Sequence, residues 1–180
     1  MSCSAGGTLL VSGANHAMAQ AWRQYPHLYD QVLEEVHARL NSAGYATKLD
    51  LAALIAWKHV QTAPWMQDLL KFPPLGVQQR TQAAFAPNRT DHERIGALQS
   101  IPGFGSGDAF TSVLLAAWRP TEFGVYDSRA SKTGRQAVVS PSCQCHWADL
   151  IVYFDHLRQI ASELGRGWTP RDVDMALYML

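Results

Sequence analysis

The chain has 180 residues, of which 47% are hydrophobic and 17% charged, so it is the size of one ordinary domain and too apolar for a disordered protein. Fifteen basic and fifteen acidic residues give a formal net charge of zero, which argues against a protein that coats nucleic acid by bulk electrostatics. Three cysteines are too few for a disulfide framework or a four-cysteine iron–sulfur cluster. Nine basic and six acidic residues fall within 51–135, so a polyanion would favour this middle section.

Membrane and export signals are not evident in the sequence. The uncharged stretch near the middle, Phe110–Trp118, is about half as long as a membrane-spanning helix. No basic residue precedes Arg23, so the N-terminus lacks the charged start of an export signal. We therefore expect a soluble, cytoplasmic protein with no membrane contact and no obligate protein partner.

Helical periodicity begins after an irregular start. Residues 1–15 contain several small residues and no apolar period, which predicts an N-terminal arm. Apolar residues at spacings of three and four predict a first helix from Pro26 to Gly44. A second helix is expected to begin at Thr47, with a capping arrangement, and to be closed by Pro64.

The same period continues towards the C-terminus and predicts an all-α fold. Two short runs, Leu9–Val11 and Gly124–Tyr126, have the character of strands, but neither has a partner run. The further predicted helices run from Val77 to Ala86, from the capping pair Thr90 and Glu93 to Ile101, from a Ser106 cap to Pro120, from Trp147 to Leu164, and onwards from Thr169-Pro170.

The window Ile101–Ala109 carries the clearest chemical signal. It reads Ile-Pro-Gly-Phe-Gly-Ser-Gly-Asp-Ala between two predicted helices. Glycines there allow a tight turn, and the unpaired N–H groups at the start of the second helix favour a phosphate. The alternative is a hairpin between two helices whose glycines serve only the turn.

The order of these pieces resembles the helix-hairpin-helix DNA glycosylase superfamily, the group of endonuclease III and 8-oxoguanine glycosylase. Its hairpin reads Leu-Pro-Gly-Val-Gly, and the helix after the hairpin is followed by a Gly/Pro-containing loop and a catalytic aspartate. The specific match covers roughly residues 94–130, and outside it the chain more loosely resembles uncharacterised bacterial members of the superfamily. It implies a two-lobed helical bundle as a single domain over 16–180, with the hairpin motif at about 91–118 and the N- and C-terminal helices packed together.

The resemblance implies a DNA glycosylase that hydrolyses the N-glycosidic bond of a damaged or modified base turned out of the duplex. It puts Asp127 at the position of the catalytic aspartate, where a carboxylate stabilises charge at the sugar C1′. Bifunctional members carry a lysine just inside the helix after the hairpin, where this chain has Gly107 or Asp108, so a monofunctional enzyme is implied. An alternative role for Asp127 is to cap a helix that begins near Ser128.

Further candidates follow from the same scheme. The basic residues after Asp127 are expected either to meet phosphates or to form a solvated face. Phe104 could touch nucleic acid at the hairpin tip or pack between the helices, and Lys58 could face the pocket or extend from the surface into solvent. The candidate backbone contacts are Pro102, Gly103, Phe104, Gly105, Ser106, Gly107, Arg129, Lys132 and Arg135. The candidate walls of a base pocket are Trp57, Lys58, Phe123 and Tyr126.

Metal ligands form only a weak pattern. Cys143, Cys145 and His146 could bind zinc only with help from distant residues such as His156 or Cys3, so no metal is predicted. No cofactor is expected, except that the hairpin of the superfamily allows a monovalent cation.

Three other functions remain open at this point. The hairpin could belong to a nucleic-acid-binding module without catalysis, in which Asp127 only caps a helix. The same scaffold could serve phage defence or act on an unusual modified base. A helical protein-interaction domain would show no salt-dependent affinity for nucleic acid.

Overall fold

A computed structural model describes residues 9–58, 63–102, 104, 108–138, 147 and 149–180. This part of the chain is helical, with Leu10 as an isolated bridge residue, which confirms the predicted all-α class. None of the helices found there is both long and apolar enough to cross a bilayer. The helices are α1 (Ala14–Gln24), α2 (Gln31–Ala43), α3 (Lys48–Lys58), α4 (Ala63–Lys71), α5 (Pro74–Phe85), α6 (Asp91–Gln99), α7 (Asp108–Trp118), α8 (Ser128–Thr133), α9 (Leu150–Leu164) and α10 (Pro170–Met179).

The chain divides into two compact units. Unit 1 combines the residues up to Pro26 with Pro120–Leu180, and unit 2 is the intervening segment His27–Arg119. At both boundaries between the units, the residue that belongs to unit 1 is a proline, Pro26 at the first and Pro120 at the second. The family resemblance implies a single two-lobed domain over 16–180, and that division into lobes stays a prediction.

Unit 1 is organised around its last helix. α10 packs against α1, α8 and α9, so helices from the two ends of the chain meet in this unit. Thr169 starts α10 through a capping box with Asp172, and Pro170 occupies the first helical turn. Val173 and Leu177, four residues apart on α10, are completely buried in the core of this unit.

Unit 2 is organised around α7, which packs against α2, α3 and α6. From Phe110 to Trp118 the residues of α7 are buried on every side. A helix that is apolar all round belongs in a core, and only Thr111 and Ser112 interrupt it with polar groups. The Ser112 hydroxyl donates to the carbonyl of Ala109 at 2.7 Å.

A buried arginine ties three helices of unit 2 together. Arg94 on α6 donates to the carbonyl of Ala84 at 2.5 Å and to that of Ala86 at 3.1 Å, at the end of α5. Its guanidinium also lies 4.8 Å from a ring centroid of Trp118, on which Phe85 is stacked. These contacts fix the start of α6 against the end of α7.

Two helices are additional to those predicted. α1 was expected to be partly arm and partly unassigned, although its buried residues Ala14, Met18 and Ala21 have helical spacing. α4 begins at Ala63, so Pro64 lies in the first turn of this helix rather than at a stop. Proline is favoured there because the first N–H groups of a helix have no partner within it.

Two predicted helices begin later than the apolar pattern suggests. Residues 27–30 form a 3₁₀ turn, so α2 starts at Gln31 rather than at Pro26. α9 starts at Leu150, because the Asp149 carboxylate accepts the N–H groups of Ile151 and Val152 at 2.9 and 3.1 Å. Trp147 lies outside that helix and is buried, with its ring stacked on His156 at 4.7 Å.

Candidate functional site

α6 and α7 flank the predicted hairpin motif, most of which lies outside the described residues. The predicted capping box is present, because Thr90 Oγ1 accepts the Glu93 N–H and the Glu93 carboxylate accepts the Thr90 N–H at 2.8 Å. Hydrogen bonds from the Thr90 backbone and hydroxyl lower the pKa of Glu93. Four predicted backbone contacts lie outside the described residues, namely Gly103, Gly105, Ser106 and Gly107.

Phe104 is a core residue, so the expected contact between its side chain and nucleic acid is wrong. Its N–H donates to the carbonyl of Ile101 at 2.9 Å, which closes a turn, and both side chains are buried. The Phe104 ring centroid lies 6.0 Å from that of Phe110 on α7. Burying the ring removes a large apolar surface from water, which favours packing over exposure at the turn. Pro102 is partly exposed.

Asp127 caps α8, so the alternative role considered for it is confirmed. Its backbone is extended, and its carboxylate accepts the Arg129 N–H at 2.8 Å. The residue is partly exposed. A cap uses the carboxylate as an acceptor and leaves it charged, so capping is compatible with a second, chemical role.

The segment before Asp127 is anchored from two helices of unit 1. The N–H of Val125 donates to the carboxylate of Asp174 on α10, and the Tyr153 hydroxyl on α9 donates to the carbonyl of Val125 at 3.2 Å. Both polar backbone groups of Val125 are therefore fixed. This holds the backbone two residues before Asp127 against α9 and α10.

A buried polar network supports this anchor. Asp174 forms an ion pair with Arg171, and both side chains are buried. Arg171 also donates to the hydroxyl of Tyr25 at 3.0 Å. Burial, followed by the negative charge of Asp174, raises the pKa of Tyr153 well above its ordinary value of 10.0, so its hydroxyl remains a donor even where an exposed tyrosine begins to ionise.

The two base-pocket candidates of unit 1 have different surroundings. Phe123 is completely buried, meets Phe154 edge-on at 5.0 Å, and lies 5.1 Å from the guanidinium carbon of Arg158. It is a core residue, so its expected place in an open pocket is wrong. Tyr126 is partly exposed and meets Tyr153 edge-on at 5.2 Å, directly before Asp127 in the chain.

The other two candidates, Trp57 and Lys58, belong to unit 2. Trp57 Nε1–H donates to the Tyr29 carbonyl at 2.7 Å, and the Tyr29 hydroxyl donates to the Trp57 carbonyl at 2.8 Å. The two ring centroids are 5.2 Å apart. This reciprocal pair fixes the 3₁₀ turn against the end of α3, so Trp57 has a structural role. Lys58 is partly exposed at that helix end.

Three predicted cations follow Asp127 and are exposed. Arg129 and Lys132 lie in α8, and Arg135 lies in the single π-helical turn Gly134–Val138 that continues it. Their spacing of three residues keeps them near one side of the helical path. The Arg129 guanidinium lies 5.0 Å from the ring centroid of Tyr178, which limits its freedom.

The residues considered as zinc ligands, for which no site was predicted, and the hairpin that could hold a monovalent cation fall largely outside the described residues. Cys143, Cys145, His146 and Cys3 all lie outside, and so does most of the hairpin proposed to hold a monovalent cation. Within the described ranges, no group of three His, Cys, Asp or Glu residues is close enough to hold a metal. His156 is engaged through Nδ1, 2.6 Å from the Val152 carbonyl.

No protein-family model matches this chain, and neither a curated protein nor a solved structure is significantly similar to it. Sequence reasoning did not find the support that Tyr153 and Asp174 give to the Asp127 segment. The signal available was weak: Arg171 and Asp174 stand three residues apart on α10, a spacing that permits an ion pair within one face.

Proposed function

We propose that the protein is a monofunctional DNA glycosylase that hydrolyses the N-glycosidic bond of a damaged or modified base in double-stranded DNA, with Asp127 as the catalytic carboxylate. The observation that carries the proposal is the anchoring of Val125 by Asp174 and Tyr153. It holds a partly exposed carboxylate at the start of α8, which together with the π-helical turn after it presents three exposed cations. Fixed geometry is what a catalytic group requires.

The chemistry needs only a carboxylate and water. As the base departs with the electron pair of the glycosidic bond, positive charge develops at C1′, and a nearby carboxylate stabilises it. The oxygen of water then bonds to C1′, while one proton of that water passes to Asp127 and from there to the departing base, which returns Asp127 to its charged form. No lysine takes part in this scheme.

Recognition of the DNA backbone is assigned to the cations after Asp127. Arg129, Lys132 and Arg135 would pair with phosphates, and the exposed part of Tyr126 would contact the base turned out of the duplex. In unit 2, the hairpin at 102–107 would offer backbone N–H groups to a phosphate. Three phosphate contacts predict that the logarithm of the affinity falls with that of salt concentration with a slope of about −2.7.

The test is release of bases from duplex oligonucleotides carrying deaminated, oxidised, alkylated or hypermodified bases, scored as alkali cleavage at abasic sites. Asp127→Asn keeps a side-chain cap for α8 but removes the charge, so release is expected to fall about a hundredfold or more. The matched control is Asp149→Asn, which makes the same change at the cap of α9 and is expected to leave release unchanged. Equal release by the wild type and Asp127→Asn would rule out the catalytic role.

A second candidate is a nucleic-acid-binding module without catalysis. The hydrogen bond from the Arg129 N–H to Asp127 favours it, because capping alone accounts for an aspartate at that position. This candidate predicts salt-dependent binding without release from any substrate, and binding that is unchanged or tighter in Asp127→Asn. Release confined to hypermodified bases would instead indicate a role in phage defence or base modification. If the protein shows no salt-dependent binding to nucleic acid, a protein-interaction domain is indicated.

A further inference from the structure

Unit 1 contains a cavity whose lining includes no residue of the Asp127 segment. It is about 250 Å³ in volume and lies between α1 and the turn that joins α9 to α10. Two indole rings and two arginines line it, namely Trp22, Trp168, Arg23 and Arg166. We call it the indole cavity.

The aromatic wall of the indole cavity is held in place. Trp22 Nε1–H donates to Oδ1 of Asp172 at 2.9 Å, and Oδ2 of Asp172 accepts the N–H and the hydroxyl of Thr169 at 2.9 and 2.6 Å. The capping box of α10 therefore also orients Trp22. The two indole centroids are 6.2 Å apart and their planes are inclined by 57°, so the rings form an open angle rather than a closed stack.

The turn beside Trp168 is shaped by glycine. Gly165 and Gly167 have φ values of 94° and 98°, a region in which other residues are strained. Nothing lies within 4 Å of the place where a Cβ of Gly167 would be. The lining at Gly167 is therefore bare backbone facing open space, which lets a ligand approach the main chain closely.

The charges around the indole cavity favour an anion. Arg23 and Arg166 are exposed, and neither forms a hydrogen bond or ion pair with any residue in the described ranges. Asp172 is the acid in the lining, and both of its oxygens already accept hydrogen bonds from Trp22 and Thr169. Two guanidinium groups beside one satisfied carboxylate leave a net positive charge, and the guanidinium fork fits phosphate oxygens.

We propose that the indole cavity binds a nucleotide, whose base stacks on an indole ring and whose phosphate pairs with Arg23 and Arg166. Aromatic faces beside arginines are the chemistry that holds single nucleotides. The volume of about 250 Å³ is below the roughly 300–1,000 Å³ of drug-sized pockets, so one nucleotide is the limit. A free mononucleotide and one nucleotide of a single strand share this chemistry. The proposal needs neither Asp127 nor the hairpin, so it is independent of the glycosylase activity.

Isothermal titration with AMP, adenosine, inorganic phosphate and a short single-stranded oligo(dA) tests the proposal on the full chain. AMP is expected to bind more tightly than adenosine or phosphate alone. Arg166→Gln should weaken AMP at least about tenfold, the range for a lost charge-assisted hydrogen bond. Trp168→Leu should weaken both AMP and adenosine by about fivefold to a hundredfold, since it removes a stacking surface.

Arg135→Gln is the matched control, because it removes an exposed arginine of the same unit that does not line the indole cavity. It should leave AMP binding unchanged, whereas the proposed function predicts weaker duplex binding for this variant. Binding of oligo(dA) but not AMP, with the same sensitivity to Arg166→Gln, would identify a strand as the source of the nucleotide. No binding of either at millimolar concentration, or equal binding by the wild type and Arg166→Gln with an unchanged circular dichroism melt, would overturn the proposal.

Discussion

Asp174 accepts the backbone N–H of Val125, a residue 49 positions earlier in the chain. The same carboxylate is paired with Arg171, and both ions are buried. The conformation of the segment before Asp127 therefore depends on an ion pair within α10. A buried charge that loses its partner is costly. Loss of this ion pair is therefore expected to lower the stability of unit 1 and to change the position of Asp127.

Asp174→Ala should strongly destabilise the protein. It leaves the Arg171 guanidinium buried without its partner charge and removes the acceptor of the Val125 N–H. Breaking a buried pair in this way costs about 3–5 kcal/mol of the free energy of unfolding. Urea unfolding followed by circular dichroism measures the loss.

Asp155→Ala is the control for this change. It breaks the ion pair of Asp155 with Arg158, which also joins residues three apart, but 67% of the Asp155 side chain is exposed. Exposed pairs contribute about 0–1 kcal/mol, so little loss is expected. Similar losses in the two variants would contradict the importance given to burial of the Asp174 pair.

Gly124 is predicted to tolerate no side chain. A Cβ at this position would overlap Leu157 Cδ1 and Asp174 Oδ2, and would lie 3.0 Å from the carbonyl oxygen of Pro170. Gly124→Ala should therefore cost about 1–3 kcal/mol through overpacking. Gly96→Ala in α6, where nothing lies within 4 Å of the new atom, should instead stabilise by up to about 1 kcal/mol. Thermal melts of the two variants should shift in opposite directions.

The raised pKa of Tyr153 makes the free energy of unfolding depend on pH in a definite direction. Burial and the charge of Asp174 raise its pKa above the ordinary value of 10.0, so the folded protein holds this proton where the unfolded chain releases it. The unfolding free energy should therefore fall as pH rises above about 10, by at most about 1.4 kcal/mol per pH unit from this group.

Tyr153→Phe separates this contribution from other titrations. At pH 7 the variant should be less stable by about 0.5–1.5 kcal/mol, because the hydrogen bond to the Val125 carbonyl is lost. Above pH 10 the difference between wild type and variant should shrink, since phenylalanine has no proton to lose. Urea midpoints at pH 7, 9 and 10.5 give the comparison, and a constant difference would contradict it.

The cap formed by Asp127 predicts different effects for two substitutions. Asp127→Ala removes the acceptor of the Arg129 N–H and should cost about 1 kcal/mol, whereas Asp127→Asn can still accept it and should cost much less. Both substitutions remove the charge, so both should lower base release by about a hundredfold or more. Thermal denaturation and the release assay together separate the cap from the chemistry. Release that tracks stability rather than charge would count against catalysis.

Local signals made several helix starts predictable. The pair Thr90 and Glu93 predicted the start of α6, and Thr169 with Pro170 predicted that of α10, because a capping box involves only residues three apart. Proline was ambiguous. Pro64 lies in the first turn of α4 although the pattern predicted a stop, since proline both ends one helix and begins another.

The candidate site was less predictable, because burial depends on distant partners. Phe123 was expected in an open pocket, but Phe154 and Arg158 from α9 cover it. The cap at Asp127 was predictable from its own neighbours, whereas its anchor was not, because Asp174 lies far along the chain. Fold class is set by periodicity, and a site is set by contacts that no local pattern contains.

Because unit 1 is built from both ends of the chain, its two parts are synthesised at different times. Trp22 on α1 donates to Asp172 on α10, which lies 150 residues later, while unit 2 is contiguous from His27 to Arg119. At ribosomal rates of about 5–20 residues per second, α1 waits roughly 8–30 seconds for its partner. The chain of unit 2 is completed within that interval, so unit 2 has all of its own residues while the buried face of α1 still lacks its partner.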